Sequence, residues 1–392
     1  MRLPLKLCLC AALLLLIAVL AIGEWILSVR DRKWAALEAR VDALAREFDA
    51  PPLERLPLGR RLLPGNAWDD YVEAEASPPD KGMRIFNPIF HWLRRDSKAK
   101  PSEAEALMAE FSPRIDLIRK GAWRQSAKPP TPAYSGNGIH YPVFQWYGST
   151  TLALLCVGKA RLLAEGGAPS EALQLLVDVC LYGRDVAGSR RAGGAFDGVC
   201  VMRTAFHEML DLLQRHKPSE EDLAALDQAL SLLDDQFPDR ANDLRCALFE
   251  FGNASRQEDR SGVYSGHAGR SWRYCFSRRL QAAATFFETE SNMERMIAFD
   301  SQPWSVARTV SRSQLHTLVR GELRLLRVAT RYLAQGTVAE LDDPVGGSIR
   351  TRLSDRSLLI WKRPLFGADW EAEKGESGYG FVLAIEVPRR RP

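Results

Sequence analysis

The adjacent residues His207 and Glu208 lie in a segment with helical periodicity, where they could begin a zinc-binding motif. A His-Glu-x-x-His helix places its second histidine four residues after the first, so that two imidazoles face one metal ion. Asp211 occupies that position here. The apolar positions 202, 206, 209, 210 and 213 predict a buried stripe that leaves His207 and Asp211 facing water. We therefore interpret His207, Glu208 and Asp211 as a solvated face and predict no metal site.

The remaining chain shows no spacing typical of a catalytic motif. The loop from Tyr264 to Arg270 combines serine, histidine and glycine. A nucleophile elbow needs Gly-x-Ser-x-Gly between a strand and a helix, whereas this loop lies between helical segments and reads as a connector. The paired acids at 69–70, 234–235 and 342–343 lie at predicted helix ends or turns, where capping explains them. We predict no catalytic residue and no cofactor.

An aromatic segment is the first candidate binding surface. Its members of interest are Tyr134, His140, Tyr141 and Trp146. Aromatic faces can stack on sugars or clamp a peptide. The alternative is a proline-rich lid that packs over a helical core.

A basic helix face is the second candidate surface. Its members are Arg320, Arg324, Arg327 and Arg331. They lie opposite Leu318, Leu325 and Ala329 on a helical wheel. Such a face suits contact with anionic lipid or an anionic envelope polymer, and the alternative is a solvated or salt-bridged face. Glu322 falls within the apolar arc, so we expect it to pair with an arginine if it is buried.

The N-terminal segment predicts the cellular location of the protein. Residues Leu7 to Val29 are apolar except for Glu24, and a run of about 20 such residues crosses a bilayer as one helix. A cleaved signal peptide is the alternative, with small residues around 21–23 as the cleavage site. A lipoprotein is excluded because Cys8 and Cys10 lie at the start of the apolar run.

A heptad-like stripe favours a retained anchor over a signal peptide. Its apolar residues alternate spacings of three and four: Trp34, Leu37, Val41, Leu44 and Phe48. This pattern predicts that the spanning helix continues into a stalk, which ends before Pro51. The flanking basic residues are nearly balanced, but the short N-terminal head resembles signal-anchors that export the rest of the chain. We therefore expect a single-pass protein of the bacterial inner membrane with a periplasmic body.

The composition of the 392-residue chain indicates a folded protein. It has 46% hydrophobic residues, and its net charge of +4 is too small to predict nucleic-acid binding. The chain has seven cysteines, and their spacing fits neither a zinc site nor a redox motif. Cys156 and Cys180 continue apolar stripes, so we interpret the cysteines downstream of the anchor as core residues. One disulfide is allowed if the body is exported.

The predicted fold is mainly α, and four segments follow one another along the chain. Residues 1–48 form the transmembrane anchor and helical stalk, 49–101 a proline-rich connector with short helices, 102–335 an α-helical body, and 336–392 a small β tail. Short connections between the body helices predict stacked antiparallel hairpins. Alternating short segments near 349–353, 357–362 and 379–387 predict a small antiparallel sheet.

Helical periodicity and end signals predict the body helices. Their predicted ranges are 148–165, 169–187, 196–215, 219–235, 239–257, 271–299 and 304–334. Ser219 with Asp222 marks one start. Ser102 to Glu105 reads as a capping box for a helix that is kinked at Pro113, and Asn66 reads as the cap of a short helix.

These features resemble a group of uncharacterised bacterial membrane-anchored helical proteins. Their pattern is an N-terminal span, a segment like Gly65 to Tyr71 (GNAWDDY), stacked helices, and a long last helix before a β tail. The tail is similar to the C-terminal part of pseudopilins. The matching positions are Tyr332, Gly336, Leu341, Asp343, Pro344 and 381–383. The acidic calcium-binding loop of pseudopilins is replaced by Pro388 and three arginines, so no calcium site is implied.

The sequence therefore favours a membrane-anchored helical interaction or scaffold protein of the bacterial envelope, without identifiable catalysis. A protein partner is expected in addition to the membrane. An envelope hydrolase with a site built from distant residues is the first alternative. A cleft with several titratable groups around an apolar pocket would favour it. An accessory subunit of a secretion or pilus-like machine is the second alternative, suggested by the tail.

Overall fold

The computed structural model is mostly helical. It describes residues 3–48, 55, 60–75, 82–95, 100–129, 133–135, 138–140, 146–189, 193–216, 218–260, 272–300, 312–336, 338, 340–342, 344, 350–353, 357–361 and 382–386. Two compact units are formed: unit 1 contains residues 1–50, 134–140 and 245–297, and unit 2 contains 51–133, 141–244 and 298–392.

Twelve α-helices lie within the described residues. Their bounds are α1 Leu3–Phe48, α2 Ala67–Glu75, α3 Gly82–Leu93, α4 Pro101–Glu110, α5 Ser112–Ala122, α6 Trp146–Glu165, α7 Pro169–Ala187, α8 Gly194–Arg215, α9 Glu220–Asp235, α10 Arg240–Arg260, α11 Trp272–Asp300 and α12 Arg312–Gln335. Seven short strands accompany them: β1 Leu63–Asn66, β2 Arg124–Ser126, β3 Ala133–Ser135, β4 Gly138–His140, β5 Arg350–Leu353, β6 Ser357–Trp361 and β7 Val382–Glu386.

The two ends of the 46-residue helix α1 differ in how far their apolar side chains are buried. Its N-terminal part exposes large apolar side chains, with Leu14 67% and Leu20 63% accessible. Among the described residues it is the one helix that is long and apolar enough to cross a membrane, and none of its most apolar window is buried by protein. The helix continues without interruption through 21–23, the alternative cleavage site.

The C-terminal part of α1 is a buried stalk, as the stripe predicts. Trp34, Leu37, Val41 and Leu44 are buried and form the core of unit 1. They pack with three residues from α10 and α11, namely Leu248, Ala283 and Phe286. Gly252 of α10 faces Val41 so closely that any side chain would displace it. The side chain of Phe48, the last position of the stripe, lies outside the described residues.

The core of unit 2 is formed by the helices of the predicted body together with α2 and α3. Tyr71 of α2 and Ile89 of α3 are fully buried in the same apolar cluster as Leu155 of α6 and Leu176 of α7. Two elements of the predicted 49–101 connector therefore belong to the packed core. Helices α7 and α8 approach closely at Gly183 of α7. A Cβ at this position would lie only 2.8 Å from the backbone carbonyl oxygen of Gly198 in α8.

The predicted helices of the body agree with the structure, with ends that differ by a few residues in most cases. Helix α12 begins at Arg312, eight residues after the predicted start of 304, and the intervening residues lie outside the described ranges. The three-residue connection between α6 and α7 makes these helices a hairpin. Cys156 and Cys180 are buried and free, which confirms core packing for these two residues.

One predicted helix cap is confirmed, at α9, and one is wrong, at α4. Ser219 and Asp222 form a reciprocal capping box at α9. Ser102 does not cap α4, because Pro101 already occupies the first helical turn and Lys100 is the cap residue. Pro113 lies at the start of a new helix, α5, and so separates two helices where the sequence predicted a kink. The Asn66 side chain pairs with the backbone of Lys128 just after β2, and its role as the cap of α2 stays a prediction.

Three of the strands lie in the predicted tail. Strands β5, β6 and β7 pair in that order, and both pairings are antiparallel. Most residues of 336–392 lie outside the described ranges. The β tail as a separate unit stays a prediction.

Candidate functional site

The basic face of α12 is turned toward α9. Arg320 Nε lies 3.0 Å from Asp234 Oδ1, and Arg324 Nε lies 2.9 Å from Asp234 Oδ2. Arg327 Nη1 donates to the same carboxylate at 2.8 Å. Arg331 Nε donates to Asp227 Oδ2 at 2.9 Å, so all four guanidinium groups have an acidic partner on α9.

These contacts correct the hypothesis that α12 presents a free basic surface. The alternative, a salt-bridged face, is the one observed, and Arg327 is only 8% exposed. Burial alone would raise the pKa of Asp234, but hydrogen bonds from Arg324 and Arg320 outweigh it and hold that pKa below its ordinary value. The helical wheel had located the face, but it could not show that another helix covers it.

Glu322 confirms the pairing that its position in the apolar arc predicts. It is completely buried, and its carboxylate forms a two-pronged ion pair with Arg203 of α8, with both N–O distances at 3.1 Å. His207 Nε2 lies 3.7 Å from the same carboxylate, while 44% of the His207 side chain is exposed. A buried glutamate is stable here because the charged guanidinium of Arg203 donates to both of its oxygens.

Glu208 is buried, which corrects the interpretation of His207, Glu208 and Asp211 as a uniformly solvated face. Its carboxylate accepts two hydrogen bonds from Arg161 of α6, at 2.8 and 2.5 Å. Burial raises the pKa of Glu208, and the contact with Arg161 partly offsets that rise. Arg161 also lies over the ring of Trp92 and donates to the backbone carbonyl of Leu93 at the end of α3. The expectation for His207 holds, because that residue is exposed.

Glu208 and Arg161 belong to the wall of a cleft in unit 2 with a volume of about 710 Å³. Three helices supply nearly all of its lining: the end of α3, one face of α6 with residues spaced by three or four, and one face of α8. The residues that line it are Phe90, Leu93, Arg94, Arg95, Thr150, Leu154, Val157, Arg161, Cys200, Arg203, Thr204, His207, Glu208, Asp211, Arg215 and Leu315. This size is within the usual range for a small-molecule site.

Arg95 has an unusual backbone conformation at the rim of this cleft. Its φ of +55° is in the left-handed region, and it is the one described non-glycine residue with positive φ. A residue one or two positions after the end of a helix, as Arg95 is after Leu93, often adopts this conformation, but glycine does so at the lowest cost. The Arg95 guanidinium reaches Asp211 at 3.1 Å, and Arg215 holds the other oxygen of Asp211 at 2.8 Å. Arginine therefore occupies a position whose backbone conformation glycine would adopt with less strain.

The charged side chains of the cleft are suited to contacts with a charged ligand, and its two lining carboxylates are already bound to arginines. Each lining carboxylate, Glu208 and Asp211, is held by arginine. The part of the chain that the structure describes has no group of three His, Cys, Asp or Glu residues placed to hold a metal ion. Guanidinium groups fixed by ion pairs are suited to binding carboxylate or phosphate oxygens.

Sequence reasoning did not find this cleft, because its residues come from separate segments spread between Phe90 and Leu315. One signal was present: Arg161 lies inside a run of apolar residues on α6. A buried arginine in such a run requires a carboxylate partner, just as the buried Glu322 requires an arginine. The sequence gives no means of choosing Glu208 as that partner.

The aromatic candidate surface stays a prediction. The side chains of Tyr134, His140, Tyr141 and Trp146 all lie outside the described residues. The backbone places Tyr134 in β3 and His140 in β4, and Trp146 begins α6. The loop from Tyr264 to Arg270 also lies outside the described residues.

Asp178 of α7 is a further buried acid, which has no exposed surface and is not among the residues that line the cleft. Its Oδ1 accepts hydrogen bonds from Trp123 Nε1 at 2.6 Å and from Gln174 at 3.3 Å. Burial raises the pKa of Asp178 to about 6, although the Trp123 hydrogen bond and the charge of Arg60 lower it in part. Because the folded state holds this proton more tightly than the unfolded chain, Asp178 destabilises the fold once it ionises.

We expect the parent protein to lose about 2–3 kcal/mol of stability relative to Asp178→Asn between pH 4 and pH 7.5. The sign follows from the raised pKa, since stability falls as pH rises from the unfolded pKa of about 3.9 through the folded pKa of about 6. Denaturant unfolding of both proteins at several pH values measures this difference. A difference that does not change with pH would contradict the assignment.

Comparison of the chain with protein-family models, curated proteins and solved structures finds no match. The fold and cleft therefore define the protein only as a mostly helical chain with one long apolar N-terminal helix. Any function has to be inferred from its own residues.

Proposed function

We propose that the protein is a single-pass membrane-anchored helical interaction or scaffold protein of the bacterial envelope, with its body in the periplasm and a protein partner. One observation carries this proposal: α1 is a single helix whose N-terminal part exposes apolar side chains and whose C-terminal part is a buried element of unit 1. A retained anchor explains both halves. Cleavage at 21–23 would cut inside a continuous helix, nine or more residues before the packed stripe begins.

We expect the mature protein to keep residues 1–30 and to stay with the membrane after an alkaline carbonate wash. The exposed apolar segment is long enough to span a bilayer, which makes extraction by carbonate unfavourable. Intact mass spectrometry of the purified protein checks this. The loss of about 2.5 kDa, the mass of a typical signal peptide, together with release of a soluble body, would contradict the proposal.

Orientation and partner are tested in the same preparation. Protease added to intact spheroplasts should digest the body if it faces the periplasm. Crosslinking in native membranes, followed by purification of the full chain, should recover a stable protein partner. Recovery of the chain alone would contradict the scaffold function without affecting the anchor.

The cleft favours a second candidate function, an envelope hydrolase. It brings Glu208, Asp211 and His207 together beside apolar residues such as Leu154 and Val157, which is the arrangement that favours an enzyme. The scaffold function remains the first candidate because arginines hold both carboxylates in ion pairs. Hydrolysis of chromogenic esters or phosphate esters by the full chain, with loss of turnover in His207→Ala, would favour the hydrolase.

A further inference from the structure

The cleft in unit 2 has more guanidinium groups than carboxylates. Its guanidinium groups belong to Arg94, Arg95, Arg161, Arg203 and Arg215. Two carboxylates, Glu208 and Asp211, line the cleft, and a third, Glu322, lies behind Arg203. Five guanidinium groups and three carboxylates leave an excess of two positive charges. A cleft with a single excess sign raises the local concentration of ligands of the opposite charge.

Ion pairs with these carboxylates fix the positions of four guanidinium groups. Arg161 is held by Glu208 and by the carbonyl of Leu93. Asp211 holds two more, Arg95 and Arg215. The N–H groups that do not face a carboxylate are therefore pre-positioned, which lowers the entropy cost of binding a ligand.

Arg94 differs from the other four. It is exposed, and its guanidinium lies over the ring of Phe90 at 5.0 Å from the centroid. Within the described ranges it makes no ion pair with a carboxylate. Stacking on an aromatic ring orients the guanidinium plane and leaves its N–H groups free to donate in that plane.

Part of the remaining wall is apolar, and the polar residues Thr150, Thr204 and His207 also line it. Phe90, Leu93, Leu154, Val157 and Leu315 line the cleft beside the arginines. A small inorganic anion would contact the arginines only and would leave this surface facing water. A ligand that covers both parts needs a charged group joined to an apolar body.

We propose that this cleft binds an organic phosphate, in which a dianionic phosphate group contacts Arg94 and the fixed arginines while an apolar body contacts the wall near Leu154 and Val157. The two charges of a phosphate monoester match the excess of two in the cleft, and its oxygens match the fork of a guanidinium group. The site goes beyond the anchoring and scaffold function and does not depend on it. The ligand is either a membrane lipid headgroup with its chains or a soluble phosphate ester.

The probe for this site is hexyl phosphate, which joins a phosphate to a short apolar chain. Isothermal titration calorimetry is performed on the full chain in phosphatidylcholine nanodiscs, with empty nanodiscs subtracted. We expect one binding site per chain, with much weaker binding of inorganic phosphate and of hexanol. A second arm uses dihexanoyl phosphatidic acid: tighter binding than hexyl phosphate identifies a lipid source, and weaker binding identifies a soluble ester.

Arg94→Gln and Arg61→Gln form a matched pair of variants. Both arginines are exposed residues of unit 2, but Arg61 does not line the cleft. Because a hydrogen bond to a charged group is lost, we expect Arg94→Gln to weaken binding of hexyl phosphate about tenfold and Arg61→Gln to leave it unchanged. Circular dichroism confirms that both variants are folded.

Three results would overturn the proposal. The first is no binding of hexyl phosphate by the parent protein. The second is equal weakening by both variants, which would indicate non-specific attraction of an anion to a basic surface. The third is equal affinity for inorganic phosphate, which would show that the apolar wall takes no part in binding.

Discussion

Replacing Asp234 by alanine is expected to lower the free energy of unfolding by about 3–5 kcal/mol, the usual effect of removing one partner from a buried ion pair. Asp234 is 5% exposed and binds three arginines of α12, namely Arg320, Arg324 and Arg327. Arg327 contributes most to this loss, because it is itself buried and its other carboxylate neighbour, Asp227, is more distant at 3.9 Å. Arg320 is partly exposed, so water replaces much of its lost contact.

The neighbouring residue provides a matched control. Asp235 follows Asp234 at the end of α9 but is exposed. Asp235→Ala should therefore change stability by less than about 0.5 kcal/mol. Urea unfolding of the two variants and the parent in detergent, followed by circular dichroism, measures the difference. Similar effects of both substitutions would show that α12 is not held by this ion-pair cluster.

The same cluster predicts a dependence on acid. The pKa of Asp234 is held below its ordinary value in the folded protein. Its stabilising contribution is therefore complete above the unfolded pKa of about 3.9 and is lost as the pH falls through the folded pKa. The Asp234→Ala variant should lack this acid-dependent part of the parent's unfolding curve.

The helical architecture could be predicted because its signals are local. The spacing of Trp34, Leu37, Val41 and Leu44 indicates a buried stripe by geometry alone, whatever packs against it. The reciprocal contacts of Ser219 and Asp222 are set within one helical turn. Where two local signals competed, sequence reasoning chose wrongly: Pro101 displaced Ser102 from the cap of α4.

The charged contacts could be predicted only in part, because a pattern on one helix does not identify the other helix. Glu322 in an apolar arc predicts an arginine partner by the cost of burying a lone charge, and Arg203 supplies it. The arginine face of α12 is visible on a helical wheel, but Asp234 lies 86 residues before Arg320. The cleft could not be predicted for the same reason. Its lining comes from α3, α6 and α8, which are separate in sequence and form the cleft only once they are packed together.

The pair formed by Glu208 and Arg161 gives the second large prediction. Glu208→Ala should lower the free energy of unfolding by about 3 kcal/mol, since Arg161 would remain buried with its charge. The contacts of Arg161 with the carbonyl of Leu93 and with the ring of Trp92 do not neutralise that charge. The Asp211 carboxylate, 3.9 Å from Arg161 Nη2, offsets it only in part, because Arg95 and Arg215 already bind that carboxylate more closely. His207→Ala, on the exposed part of the same helical turn, serves as the control and should change stability by less than about 1 kcal/mol.

A double-mutant cycle separates the ion pair from the packing around it. Arg161→Met keeps much of the side-chain volume but removes the charge, and alone it leaves Glu208 buried without its partner. Combined with Glu208→Ala, it should cost clearly less than the two single substitutions added together, because no uncompensated charge then remains. Urea unfolding of the four proteins gives the coupling energy. If the two single effects simply add, Arg161 and Glu208 do not depend on each other, and the arginines of the cleft are not positioned by its carboxylates.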